Sequence, residues 1–194
     1  MKIELIPVIE LNEKQRNMVS ESTISYEQKL QFYRIQDINN DDLAELIKDH
    51  TEGFRNGEYK REQASALFGG YVLKIDGINK YFPQCCGDLA DIKYWDRLSN
   101  GQDSYSEGHP APQVKIDYKE LIFDFSVDEF DEPFQPTPPE IQLKVDKQSL
   151  KLAVEQAKRE LELFSVRLKE ISNKENLNIE NIEGLLIWEN PNYE

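Results

Sequence analysis

Cysteine and histidine are scarce in this chain, with two of each among 194 residues. The cysteines, Cys85 and Cys86, are neighbours. Adjacent cysteines bridge only in strained geometry, so a disulfide scaffold is excluded and reduced, buried structural thiols are expected. Thiolate zinc sites usually draw on four ligands, with cysteines two to four residues apart. No CxxC or HExxH is present, and only His50 and His109 could add donors. On spacing alone the expectation is no metal and no cofactor. Basic residues are also few, 23 Lys and Arg against 37 Asp and Glu, for a net charge of −14 at pH 7. Such a field repels nucleic acid and anionic membrane surfaces. It attracts and steers a basic protein partner, though acidity also serves solubility alone. A membrane-spanning helix needs about 20 apolar residues in a row. The longest runs here are as short as Leu185-Leu186-Ile187-Trp188. Glu4 breaks the apolar N-terminal stretch and no small-residue cleavage site follows, so a cytoplasmic protein without signal peptide is expected. No Gly-x-Gly-x-x-Gly, P-loop or Gly-x-Ser-x-Gly motif occurs.

Large side chains are plentiful. Nine Phe, nine Tyr and two Trp are core anchors that a disordered chain lacks. The length fits a single domain over 1–194. Its pattern predicts an α+β fold with a mainly antiparallel sheet. Asp76-Gly77 between Tyr71–Ile75 and Ile78–Phe82 is a type I′ hairpin signal, placing a hairpin at 71–82. Ile3, Leu5, Val8 and Ile9 read as a strand, which Pro7 assigns to a sheet edge. Asn39–Asp42 read as a helix start, with Gly53 as its end, and a short helix is expected near Glu62–Phe68. Asp88–Leu98 read as a helix with Asp88 as cap and Asp91 in a capping-box place. Strands are expected at Val114–Tyr118, Leu121–Phe125 and Ile141–Val145. Prolines 133, 136, 138 and 139 make a stiff connector over 133–139. Leu150, Val154, Ala157, Leu161, Phe164, Leu168 and Ile171 form one stripe on a long helix near 147–173. That stripe either docks on the chain's own sheet or pairs with a partner. The Leu185–Trp188 run reads as a returning strand.

Reactive chemistry has few candidates. A Cys–His pair is formally available from Cys85 or Cys86 with His109, but His109 sits in Gly108-His109-Pro110, a surface-turn context. Asp88 and Asp91, one helical turn apart, offer carboxylates for a small hydrolase or metal-dependent enzyme; capping explains them without catalysis. Glu120 and Asp124 flank a strand in the same ambiguous way. No catalytic residue is assigned.

One segment stands apart. Asp124-Phe125-Ser126-Val127-Asp128-Glu129-Phe130-Asp131-Glu132 sets five carboxylates among three apolar side chains and one serine. It reads either as a solvated turn or as an acidic docking edge. In the second reading Asp124, Asp128, Glu129, Asp131 and Glu132 select a Lys/Arg-rich partner and Phe130 anchors it. The run Gly69-Gly70-Tyr71, Tyr81-Phe82-Pro83-Gln84-Cys85-Cys86-Gly87-Asp88-Leu89 and Tyr94-Trp95 resembles small bacterial proteins of the polymorphic-toxin immunity type. The resemblance covers at most about a quarter of the chain and carries no catalytic motif. It implies a cytoplasmic protein that blocks a secreted toxin domain. The expected function is therefore a noncatalytic acidic binding module, an immunity-type inhibitor of a basic toxin or enzyme. The alternatives are the carboxylate enzyme above and an assembly subunit paired through its C-terminal helix.

Overall fold

The structure, a computed structural model, describes residues 1–27, 30–106, 108–127 and 132–188. Asp128, Glu129, Phe130 and Asp131 of the acidic segment lie outside the described residues. The chain is α+β, with two antiparallel sheets. The first has the order β2 (Phe32–Arg34), β1 (Ile3–Glu10), β3 (Gly69–Ile75), β4 (Ile78–Tyr81). The second runs β5 (Gln113–Ile116), β6 (Glu120–Asp124), β7 (Gln142–Asp146). The hairpin stands where its turn chemistry puts it: Asp76 and Gly77 have φ of 47° and 83°, the paired positive angles of a type I′ turn.

Pro7 does not mark an edge strand, since β1 lies between β2 and β3. Its carbonyl accepts from Ile35 N on the β2 side, where the ladder begins only at Val8. A residue's N–H and C=O point to the same neighbour in an antiparallel ladder, so the missing donor faces the short strand's end and costs the β3 pairing nothing. Gly69 permits a close backbone approach: its φ is 138°, and a Cβ there would stand 2.3 Å from Val8 O.

Helix α1 (Glu13–Met18) is capped by Asn12, and α2 (Asn40–His50) by Asn39, whose side chain accepts from Asp41 N and Asp42 N. Gly53 does not end α2. Thr51 does, and Gly53 sits inside a further short helix, α3 (Glu52–Arg55). The helix expected near 62–68 is only a 3₁₀ turn, Arg61–Gln63. Asp88 caps as expected, accepting from Ala90 N at 2.7 Å, while Asp91 makes no side-chain cap. The element it starts is a 3₁₀ turn, Leu89–Asp91, leading into α4 (Ile92–Ser99). Asp146 caps the long α5 (Lys147–Lys174) through Ser149 N. The Leu185–Trp188 run is not a strand: Asn181 caps α6 (Ile182–Leu186), so Ile182, Leu185 and Leu186 are buried at helical spacing.

The whole stripe from Leu150 to Ile171 is buried within this chain, against β1 and α4. Arg167 fixes the helix's far half. Its Nη1 donates to Ile35 O at 2.8 Å, its Nη2 to Ile38 O at 2.6 Å, and both Nε and Nη2 to Asn40 Oδ1. The two sheets share one core. Tyr81 from β4, Trp95 from α4, Phe123 from β6 and the flanking Phe125 and Phe134 form a ring cluster with centroid separations of 5.3–6.5 Å. A smaller cluster, Ile6, Val8, Phe32, Val72 and Phe82, covers the opposite face of the first sheet. Among the described residues no helix is long and apolar enough to cross a membrane.

Phe123 is fully buried, so Phe123→Ala should cost about 3–5 kcal/mol, read from urea unfolding midpoints. Asp42 is buried and accepts from Ser20 N, Ser20 Oγ, Thr23 Oγ1 and Asn39 Nδ2. Burial pushes its carboxyl up, but the hydrogen bonds outweigh burial and hold it below the usual value. A lowered folded value stabilises the fold above the unfolded value and loses that stabilisation as pH falls toward the folded one. Asp42→Asn should therefore cost about 1–3 kcal/mol at neutral pH. The gap to the parent should narrow below about pH 4, the unfolded carboxyl range. A gap that stays constant across that range would contradict the assignment.

Candidate functional site

The site begins where the hairpin ends. After Tyr81 the chain runs Phe82-Pro83-Gln84 and is held down by Gln84, a buried amide that uses both ends. Gln84 Nε2 donates to Phe82 O at 2.8 Å and to Gln135 O at 3.2 Å, and Gln84 Oε1 accepts from Gln135 N at 2.9 Å. This ties the post-hairpin strap to the proline connector. The next residue, Cys85, pairs its backbone with His109, whose N donates to Cys85 O at 3.0 Å. Cys86 has φ of 69°, a left-handed conformation uncommon for a residue with a Cβ. In an extended strand neighbouring side chains point to opposite faces. The left-handed residue breaks that alternation, and the two sulfurs stand 3.4 Å apart. Gly87 closes the strap: its N donates to Gln84 O, and a Cβ there would come within 2.9 Å of Gly69 O.

His109 completes the group. One of its ring nitrogens and both sulfurs lie within 4.8 Å of one another. Its Nδ1–H donates to Glu132 Oε2 at 2.9 Å. Three stretches distant in sequence, the strap, the 108–110 turn and the start of the proline connector, thus meet at one point. Both cysteines are free and exposed, which corrects the expectation of buried structural thiols. His109 is not an isolated turn residue either, being paired through both backbone and ring.

Cys85, His109 and Glu132 lie on the wall of a cleft of about 600 Å³. Glu10 at the end of β1 and Phe32 of β2, a member of the smaller apolar cluster, also line it. Pro110, Pro133 and Pro136 stiffen the rim. Among the described residues that line the cleft, the acidic side chains are Glu10 and Glu132, and none is Lys or Arg. Burial raises the Glu10 carboxyl above its usual value. The Cys85 thiol is also raised, first by its hydrogen bond with Cys86, then by burial, then by the nearby charges of Cys86, Glu132 and Glu10. An unassisted Cys85 is therefore not an activated nucleophile, because activation needs a lowered pKa.

The predicted docking residues divide. Glu132 is in the cleft wall. Asp124 is committed to its own turn, accepting from Ser126 Oγ at 2.6 Å, Ser126 N at 2.9 Å and Gln142 Nε2 at 3.0 Å. These bonds lower its carboxyl pKa. Phe125 and Phe134, on either side of the undescribed stretch, are both buried in the ring cluster. The carboxylate-enzyme candidates do not meet in the cleft: Asp88 caps a 3₁₀ turn, and neither Asp88 nor Asp91 lines the opening. Glu10 is not singled out by the sequence, and the Cys–His pairing that the sequence formally offers is set aside there because His109 reads as a surface-turn residue. The only local signals were the adjacent cysteines and a histidine before proline. No protein-family model, curated protein or solved structure matches this chain.

The exposure of both thiols gives a direct check. In the native, reduced protein both should react with a chromogenic disulfide reagent without denaturant, and Cys85→Ser and Cys86→Ser should each retain one reactive thiol. Reaction only after unfolding would contradict the geometry.

Proposed function

We propose that this protein is a noncatalytic binding module whose cleft takes a Lys/Arg-rich segment of a protein partner, in the manner of an immunity-type inhibitor that occludes a basic toxin domain. The observation that carries this reading is the charge of the cleft: Glu10 and Glu132 face a concave surface with no described cation in its lining, on a chain of net charge −14. In sequence Glu132 is preceded by Asp128, Glu129 and Asp131, which add to the negative charge of the chain that would steer a basic partner. Proline-stiffened walls lower the ordering cost of binding. Apolar contact with Phe32 and the proline rings supplies the anchor for aliphatic stems of lysine or arginine. A cytoplasmic setting fits two reduced, exposed thiols.

The test uses a fluorescently labelled oligo-arginine peptide and anisotropy. Binding should weaken steeply between about 50 and about 500 mM salt, as screening requires. Glu132→Lys should weaken it at least about tenfold, the scale of one close charge pair of roughly 1.4 kcal/mol. Glu120→Lys, an exposed reversal on β6 outside the cleft, should have little effect. Affinity equally sensitive to both reversals, or indifferent to salt, would sink the cleft reading.

A further inference from the structure

We propose that Cys85, Cys86 and His109 form a three-donor binding site for a thiophilic divalent cation of the zinc type, with Glu132 as the positioning residue for the histidine. The site stands on its own geometry and does not depend on whether the cleft receives a partner.

The sulfurs are 3.4 Å apart and no pair of the three donor atoms exceeds 4.8 Å. A point therefore exists within about 2.6 Å of all three, against bonds of about 2.3 Å to sulfur and about 2.0–2.1 Å to nitrogen. Contraction by a few tenths of an ångström seats one ion. Tetrahedral zinc holds two thiolates about 3.8 Å apart, so the sulfurs need only spread slightly. Adjacent cysteines do not ordinarily present both sulfurs to one point. The left-handed Cys86 is the backbone feature that makes them do so here.

The surroundings fit the same ligand. A metal-bound histidine commonly donates its other ring N–H to a carboxylate, which fixes its tautomer and orientation. His109 Nδ1–H donates to Glu132 in this way, so Nε2 is the coordinating nitrogen in the proposed site. Both cysteines are exposed and His109 is part-exposed beside the cleft, giving an ion a path of entry. Two thiolates and a dication sum to zero charge, and each thiol releases its proton to solvent as it binds. Soft thiolates choose zinc over calcium or magnesium, which take oxygen ligands. Three protein donors leave the fourth tetrahedral position open toward the cleft, for water or for a donor atom brought by another molecule.

The experiment titrates the full chain, metal-free and kept reduced by a phosphine, with Co²⁺ and then Zn²⁺. Cobalt should produce thiolate-to-metal charge-transfer absorption and the intense visible bands of a tetrahedral centre at one equivalent per chain. Zinc should bleach both, and excess Mg²⁺ should not. Cys85→Ser and Cys86→Ser should each abolish the charge-transfer band or shift it toward a single-thiolate intensity. His109→Ala should weaken zinc binding measured against a chromophoric chelator. Glu132→Gln should keep the band but weaken zinc about 10–100-fold, the range for loss of such an orienting partner. Far-ultraviolet circular dichroism of each variant checks that the fold is intact. Absence of the charge-transfer band in the reduced parent, or zinc affinity unchanged in both cysteine variants, would overturn the site.

Discussion

The structure depends on the contact between its two sheets. Neither the four-stranded sheet nor the three-stranded one is a layer that could bury both its faces unaided. They are joined by aromatic rings: Tyr81 from the end of the hairpin, Trp95 from α4, and Phe123, Phe125 and Phe134 from the second sheet and the connector. Offset and edge-on ring pairs add to the area that each ring removes from water. The cluster also decides where the loops can go. The strap leaves from Tyr81, and the connector enters through Phe134, so the ends of both are fixed before any residue of the cleft is placed.

From that anchor the cleft is assembled mainly by backbone. Gln84 carries its buried amide across to Gln135, and His109 pairs with Cys85 through the main chain. Side chains of quite different chemistry then come together without an extensive side-chain network of their own. Among the described residues, the His109–Glu132 bond and the close sulfurs connect them directly. A surface built this way has a rigid outline with sparse polar commitments, the condition under which groups in it stay available to something arriving from outside.

The fold was largely legible in the sequence where the signal was local. Asp76-Gly77 demanded its turn, Asn39, Asp88 and Asp146 offered caps, and the α5 stripe repeated at helical spacing. Legibility failed where a tertiary neighbour set the outcome. Pro7 sits in an interior strand because β2 is too short to ask for its missing donor. Leu185 and Leu186 are helical because Asn181, with φ of 45°, turns the chain and caps it. The site was less readable still. Ligand spacing along the chain is a guide when one turn or hairpin supplies the donors. Here adjacent cysteines converge through one left-handed residue, and the histidine comes from another loop. The docking segment was read as one unit, yet Asp124 spends its carboxylate on Ser126 and Gln142 while Glu132 alone of the described carboxylates in it reaches the cleft.

The loop that delivers His109 is tethered at one end by α4 and at the other by β5. Each added residue of extended chain is roughly 3.3 Å long. An insertion beside His109 would have to slide the ring out of reach of the sulfurs or bulge away and surrender its backbone pairing with Cys85. The same insertion near Gln102–Ser104, away from that pairing, could loop into water at little cost. Tolerance to length change should therefore be uneven along a single stretch of coil. It follows the distance from one main-chain contact and cannot be read from exposure alone.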